Sequence, residues 1–405
     1  MAEFKLTKLF QEFFASEKAG GLILVFCTLL SIGIANSPWG TGWLHFWHSD
    51  LDLSFSAVRL DYSIEHWVND GLMAIFFLLV GLEIEREIYI GELADFRNAL
   101  LPIMAALGGM LIPAALHFCF NSGRPEQVGF GIPMATDIAF ALGVLSLLGN
   151  RIPASVKIFL TALAIIDDLG AILVIAIFYT KSLALVWLAV AAGILLLLII
   201  FNKMKINNLL FYILPGIVLW YCMLRSGIHA TLSGVMLAFV IPFRRIEAAR
   251  QASASSDADH GHDESSHNPS YRLQHFLHRP VAFIILPLFA LANTGILFSS
   301  GWPEGLLSSN SLGILVGLVL GKPIGIVLCC WIAIRAGWCQ LPEGMSNRHL
   351  LGTGLLAGIG FTMSIFITNL AFSDLDHIQG SKIAILFASL LASGLGFACL
   401  SRSSR

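Results

Sequence analysis

Charge is what this chain has least of. Asp, Glu, Lys and Arg make up 12% of its 405 residues, against 57% hydrophobic ones. Soluble globular domains carry roughly a quarter of their residues as charges, so a soluble class is excluded. The seven cysteines are an odd number without ligand spacing, mostly inside apolar runs. They read as small core residues, neither a disulfide framework nor a metal site. Residues 1–18 mix Lys5, Lys8 and Lys18 with Glu3, Glu12 and Glu17 and lack the n-region, h-region and cleavage site of a secretory leader. No cleavable signal is therefore expected. No cofactor and no nucleic-acid partner are expected either.

Long apolar stretches take the place of charge, and the mean hydropathy is +0.80. Runs near the roughly 20 residues that cross a bilayer core recur along the whole length. The fold class read from them is an all-α polytopic membrane protein with twelve transmembrane helices. The spans fall at about 19–36, 64–86, 98–120, 127–148, 155–180, 183–202, 207–223, 226–242, 274–299, 311–335, 348–372 and 380–400. An amphipathic stretch at 4–14 is expected to lie at the interface before the first.

Counting basic residues orients these spans. With both termini cytoplasmic, inner segments hold eighteen of the 24 Lys and Arg, outer segments hold five, and Lys322 lies within a span. An error of one span would flip every later loop and erase that bias. Two segments fall outside the spans. Residues 45–62 alternate polar and apolar around Ser56-Ala57, as an external β-hairpin would, either a covering loop or a homodimer contact through a strand edge. Residues 247–271 are polar, low in complexity and expected to be disordered cytoplasmic loop. Their His260, His262, His267 and Asp263 are read as part of a solvated linker rather than a metal site.

Against this background two adjacent aspartates, Asp167 and Asp168, stand in mid-run in Ala164-Ile-Ile-Asp-Asp-Leu-Gly. Each costs roughly 2.5–3.5 kcal/mol to insert at a helix centre. They lie roughly 18–20 Å along their helix, near the midplane, and point about 100° apart around it. A third acid, Asp137, follows Thr136 in Gly131-Ile-Pro-Met-Ala-Thr-Asp. Pro133 removes a backbone donor there, and such a break is tolerated only where protein or water satisfies it. A comparable stretch, Gly358-Ile-Gly-Phe-Thr-Met-Ser-Ile-Phe, aligns Thr362 with Thr136 and Phe366 with Phe140, with Met363 opposite Asp137. Two interrupted segments in corresponding halves point to a transporter with internal repeats. Lys322, in Gly321-Lys-Pro-Ile-Gly, also lies near mid-depth, and a buried ammonium must pair or lose its proton. Asp167 and Asp168 are its candidate partners. Glu83, Glu85, Arg86 and Glu87 crowd one end of the second span and read first as a solvated helix end, while His229 reads as a packing histidine with a titration range suited to pH sensing.

Five segments then carry a resemblance: Pro133-Met-Ala-Thr-Asp-Ile-Ala-Phe, Ala164-Ile-Ile-Asp-Asp-Leu-Gly-Ala-Ile, Ser226-Gly-Ile-His-Ala-Thr-Leu-Ser-Gly, Leu286-Pro-Leu-Phe-Ala-Leu-Ala-Asn and Gly321-Lys-Pro-Ile-Gly. In this order, over nearly the whole chain, they resemble bacterial NhaA-type sodium/proton antiporters. That family is itself a described inverted-repeat fold, so the repeat above is not independent of the resemblance. The resemblance implies interrupted spans four and eleven in an inner-membrane protein. It implies Na⁺ at Asp168 and Asp167, Lys322 as partner of Asp167, and Asp137 and Thr136 supporting the site at the helix crossing. It also implies pH activation, with Glu83, Arg86, Glu87 and His229 as the responding residues. Gln274 departs from the glutamate expected before His275, Glu85 stands where a lysine is familiar, and the 247–271 loop is long.

The expected activity is exchange of cytoplasmic Na⁺, and Li⁺, for external H⁺, electrogenic and without enzyme chemistry. One carboxylate site cannot hold a cation and its protons together, so alternating access of that site gives obligatory exchange. A cation channel is the principal alternative. An intramembrane aspartyl protease would place its two acids on separate helices, and no Gly-x-Gly-Asp segment occurs.

Overall fold

The computed structural model describes residues 8–55, 59–180, 183–243, 268–298 and 302–403. A backbone in hydrocarbon has no water to bond, so apolar runs satisfy their own N–H and C=O groups as helices. The chain opens with α1 (Lys8–Ala35) and α2 (Gly40–His48), then strands β1 (Asp50–Asp52) and β2 (Asp61–Ser63). α3 (Ile64–Ile90), α4 (Phe96–Phe120), the tighter 3₁₀ element α5 (Pro125–Met134) and α6 (Ile138–Leu147) follow. Next come α7 (Ala154–Phe178), α8 (Leu185–Lys203), α9 (Leu210–Ser226) and α10 (Leu232–Ala238). The chain ends with α11 (Pro269–Asn293), the short α12 (Trp302–Leu306), α13 (Ser309–Arg335), α14 (Asn347–Ala357), α15 (Phe361–Ala371) and α16 (Leu375–Ser403).

Among the described residues seven helices, α3, α4, α7, α8, α11, α13 and α16, are long and apolar enough to cross a membrane. Three further pairs qualify together but bend at a short break: α1 with α2 by 114°, α5 with α6 by 43° and α14 with α15 by 44°. Counting each pair once gives ten, against the twelve spans read from the sequence. The difference lies at 207–242. There α9 has 17 residues, and the run from 226 is helical only over the seven of α10. Gly227, at φ 85°, ends α9 in the left-handed conformation, which costs a glycine least.

The strands pair antiparallel, with Asp50 opposite Ser63, Leu51 opposite Tyr62 and Asp52 opposite Asp61. Residues 45–48 belong to α2, and Ser56-Ala57 lie outside the described residues. Of the polar loop, 247–267 lies outside them too, while α11 already begins at Pro269. The segment before Lys8 is likewise outside, and α1 runs unbroken from Lys8 into the first apolar run.

Contacts divide the chain into two compact units. The larger comprises Met1–Asn69, Phe96–Ile175 and Ala282–Arg405, the smaller Asp70–Asp95 and Ala176–Val281. Within the larger, α4 and α13 approach backbone to backbone. A methyl group on Gly108 would collide with the Gly325 carbonyl, and one on Gly325 with the Gly108 carbonyl. Small residues permit such close crossings where lipid supplies no driving force between helices. The turn Gly317–Gly321 within α13 is π-helical, and it ends directly before Lys322. In the smaller unit α10 packs on α3, where a methyl group on Gly234 would strike the Ala74 carbonyl.

Candidate functional site

The site begins with two broken helices in the larger unit. Between α5 and α6 the backbone is extended at Ala135 (φ −79°, ψ 149°) and Asp137 (φ −87°, ψ 99°). Between α14 and α15 it opens at residues 358–360. A break inside a membrane leaves carbonyls and N–H groups without partners, and here each break serves the other. Asp137 N–H donates to the Ile359 carbonyl at 2.6 Å, and the Thr136 hydroxyl lies 2.9 Å from the Ala357 carbonyl. The Ser364 hydroxyl donates to the Ile132 carbonyl at 2.7 Å. A methyl group on Gly358 would collide with the Leu318 carbonyl, so the crossing also requires a small residue there.

Asp137 caps both helices that start at the crossing. Its Oδ1 accepts from the Phe140 N–H at 2.9 Å, closing the first turn of α6. Its Oδ2 accepts from the Thr362 N–H at 3.0 Å and the Thr362 hydroxyl at 2.5 Å, in the first turn of α15. Each helix start presents orphan donors and a partial positive charge, so one carboxylate answers two termini.

On α7, Asp167 and Asp168 are 0% and 2% exposed, and Lys322 on α13 is 0% exposed. Lys322 Nζ lies 2.9 Å from Asp167 Oδ2 and also donates to the Met134 carbonyl at the end of α5. The Thr136 hydroxyl reaches the same Asp167 Oδ2 at 2.7 Å. Asp167 Oδ1 is buried with no hydrogen-bond partner among the described residues. A buried ion pair holds only when further donors support it, because desolvation of each charge otherwise exceeds the attraction. Thr136 is that further donor to Asp167, and the Met134 carbonyl is a further acceptor for Lys322. Asp168 follows on the next position of the helix, buried beside this pair. Carboxylate, hydroxyl and carbonyl oxygens converge here, the donor type that hard cations take.

Thus Asp167, Lys322, Thr136 and Asp137 fall within one chain of contacts. Thr362, and the carbonyls of Met134, Ala357 and Ile359, join it without having been singled out by residue type. The small residues around 358–360 were the available signal for the crossing.

The other singled-out residues lie in the smaller unit. Arg86 pairs with Glu87 at 2.8 Å, and Glu87 also accepts the Glu92 N–H at 3.1 Å. Burial, and then the charge of Glu87, raise the Glu92 carboxyl above its usual range. Glu83 sits one turn before Glu87 on α3. Glu85, the residue in place of a lysine, is buried and accepts from the Ser270 hydroxyl at 3.0 Å, with Gln274 also buried on α11. His229 is bonded through Nε2 to the Tyr179 carbonyl at 2.8 Å, separately from that cluster.

Fold and site together define a class: a multi-span helical membrane protein organised around a buried carboxylate–ammonium pair at a crossing of broken helices. Comparison with known proteins narrows it. Residues 11–400 match the family model described as Na+/H+ antiporter 1. The chain is 56% identical over 399 residues to the Na(+)/H(+) antiporter NhaA of Dechloromonas aromatica, covering 98% of this chain and 96% of that protein. It is 55% identical over 396 residues to Na(+)/H(+) antiporter NhaA 1 of Flavobacterium johnsoniae, covering 98% and 97%. To the Na(+)/H(+) antiporter NhaA of Citrobacter koseri it is 46% identical over 392 residues, covering 96% of each. The chain belongs to the Na+/H+ antiporter 1 family. It is a transporter and not an enzyme.

Proposed function

We propose that this protein moves Na⁺, and Li⁺, out of the cytoplasm in exchange for external H⁺, by alternating access of one site built on Asp168 and Asp167. In the ionised state the two carboxylates offer oxygens to a dehydrated cation. Protonation neutralises the same oxygens and expels it. Lys322 holds Asp167 between cycles, and the pair takes up and releases its protons as a unit. More protons than cations cross per cycle, so exchange is electrogenic.

Thr136 and Asp137 support the site from the crossing, which we read as the meeting of interrupted spans four and eleven in an inverted-repeat, twelve-span fold. We read both termini as cytoplasmic in a bacterial inner-membrane protein, a reading supported by the excess of Lys and Arg it gives the inner segments. Glu83, Arg86, Glu87 and His229 are assigned to pH activation. Within 45–62, the edge formed by β1 and β2 is assigned to a homodimer contact.

One observation carries the transport assignment: a lysine and two adjacent aspartates buried on helices that cross beside two breaks. A purely structural cluster would leave no reason for the second acid. The test is collapse of a preformed pH gradient in vesicles on adding Na⁺, Li⁺ or K⁺ across a pH series. Na⁺ and Li⁺ collapse it with wild type, and Asp168→Asn abolishes the response. Indifference to all three ions at every pH rejects antiport. Cation current without imposed proton flux indicates a channel instead.

A further inference from the structure

Away from the transport site, the larger unit carries an open groove of about 1000 Å³ between α13, α14 and α16. Its floor and walls are apolar. Leu320, Ile324 and Leu328, successive turns of one face of α13, stand 53%, 54% and 43% exposed, and Trp331 continues the line. From Leu320 to Trp331 that face runs roughly 16 Å at 1.5 Å per residue. The opposite wall is formed by Leu351 and Leu355 of α14 and Leu395 of α16.

One end of the groove is cationic. Arg348, in the first turn of α14, and Arg402, in the last turn of α16, both line it. The two helix ends meet there: the Cys399 thiol donates to the Arg348 carbonyl at 3.7 Å, and the hydroxyls of Ser346 and Ser403 lie 3.5 Å apart. Arg335 closes the end of α13 with its guanidinium 5.3 Å above the Trp331 ring. Among the described residues no acidic side chain lines the groove, and neither Arg348 nor Arg402 is in an ion pair.

An apolar groove that ends in two guanidiniums without an ion-pair partner among the described residues is complementary to one chemistry. We propose that this groove is a binding site for an anionic phospholipid, its acyl chain along the Leu320–Trp331 face and its phosphate between Arg348 and Arg402. Guanidinium–phosphate bonding is bidentate and charge-assisted, which separates this site from general lipid contact. Both arginines belong to the side that carries the basic excess, where an anionic leaflet would meet them.

The test uses the full chain, purified in detergent free of lipid phosphate. Phosphatidylglycerol, phosphatidylcholine with the same acyl chains, and inorganic phosphate are titrated separately. The readouts are lipid retained per protein by native mass spectrometry and the thermal midpoint. Phosphatidylglycerol is expected to be retained and to raise the midpoint, phosphatidylcholine to do so far more weakly, and inorganic phosphate to have no effect. Replacing both arginines (R348Q with R402Q) should weaken phosphatidylglycerol binding by about tenfold or more, the loss of charge-assisted hydrogen bonds. V327W fills the groove while leaving both arginines, and it should lose the lipid too; it decides the matter alone if the arginine variant does not fold. Wild-type retention in either variant overturns the site, and an equal shift with inorganic phosphate overturns the lipid as occupant. None of these readouts depends on transport, so antiport can fail without touching them.

Discussion

The two helix breaks look alike in sequence and do different work. Each comes with a proline- or glycine-rich stretch, each bends by a similar angle, 43° and 44°, and each has a threonine, Thr136 within the first break and Thr362 just after the second. Only the first has an acid. The contacts explain why one suffices: Asp137 lies within hydrogen-bond reach of the N-terminal donors of both α6 and α15. A second carboxylate at Met363 would set two like charges at one crossing, each in need of its own counter-ion. The threonines diverge in the same way. Thr362 is spent on Asp137 and holds the crossing together, whereas Thr136 reaches past it to Asp167. The two threonines are thus divided between scaffold and ion pair.

Removing the shared acid is the harshest test of that division. Asp137→Ala strands the Phe140 N–H and both Thr362 donors in a buried crossing. Losing a cap costs about 1 kcal/mol and each buried orphan donor about 1–3. The expected loss is therefore about 3 kcal/mol or more, seen as a large fall in thermal midpoint in detergent, with exchange lost as well. If the midpoint scarcely moves, Asp137 is not what joins the two helices.

Asp137→Asn is gentler and more telling. An amide keeps one oxygen, and Asn caps a single helix nearly as well as Asp. It cannot accept at both ends, because its second polar atom is itself a donor. A loss of about 1–2 kcal/mol is expected from the one terminus left uncapped. Hydrogen exchange at the starts of α6 and α15 reads which one frays. Equal protection at both, unchanged from wild type, would refute the shared cap.

Much of this site was legible because the bilayer makes charge expensive. Asp167, Asp168, Asp137 and Lys322 stand out against apolar runs by residue type alone, and Pro133 marks the first break. The partners that complete the geometry did not stand out. The carbonyls of Met134, Ala357 and Ile359 are main-chain acceptors, which every residue has. Their availability comes from where helices end, and an apolar run does not record that. The same blindness explains 226–242, where a run long enough to span is helical for only seven residues. Thr362 illustrates a different gap. Aligning it with Thr136 sets two hydroxyls at two breaks side by side, but does not tell which aspartate each serves.

The smallest expected effects belong to those two threonines, and they separate scaffold from ion pair most finely. Thr362→Val removes the hydroxyl donor to Asp137 and strands neither backbone donor, because its own N–H and that of Phe140 remain bonded to the carboxylate. A loss of about 1 kcal/mol is expected, with exchange kinetics little changed. Thr136 is placed differently. Its single hydroxyl hydrogen faces two acceptors, Asp167 Oδ2 at 2.7 Å and the Ala357 carbonyl at 2.9 Å, and serves one at a time. With Asp167 ionised the hydrogen goes to the carboxylate. With Oδ2 protonated the acid can donate to Thr136, freeing that hydrogen for Ala357 at the end of α14. In the exchange we propose, the hydroxyl couples the proton on Asp167 to the opposite break. Thr136→Val should cost a similar amount of stability, yet lower the Na⁺-driven exchange rate severalfold more than Thr362→Val, with Thr136→Ser restoring it. Equal exchange rates in the two valine variants at matched stability would show that Thr136, like Thr362, is only a fastening of the crossing.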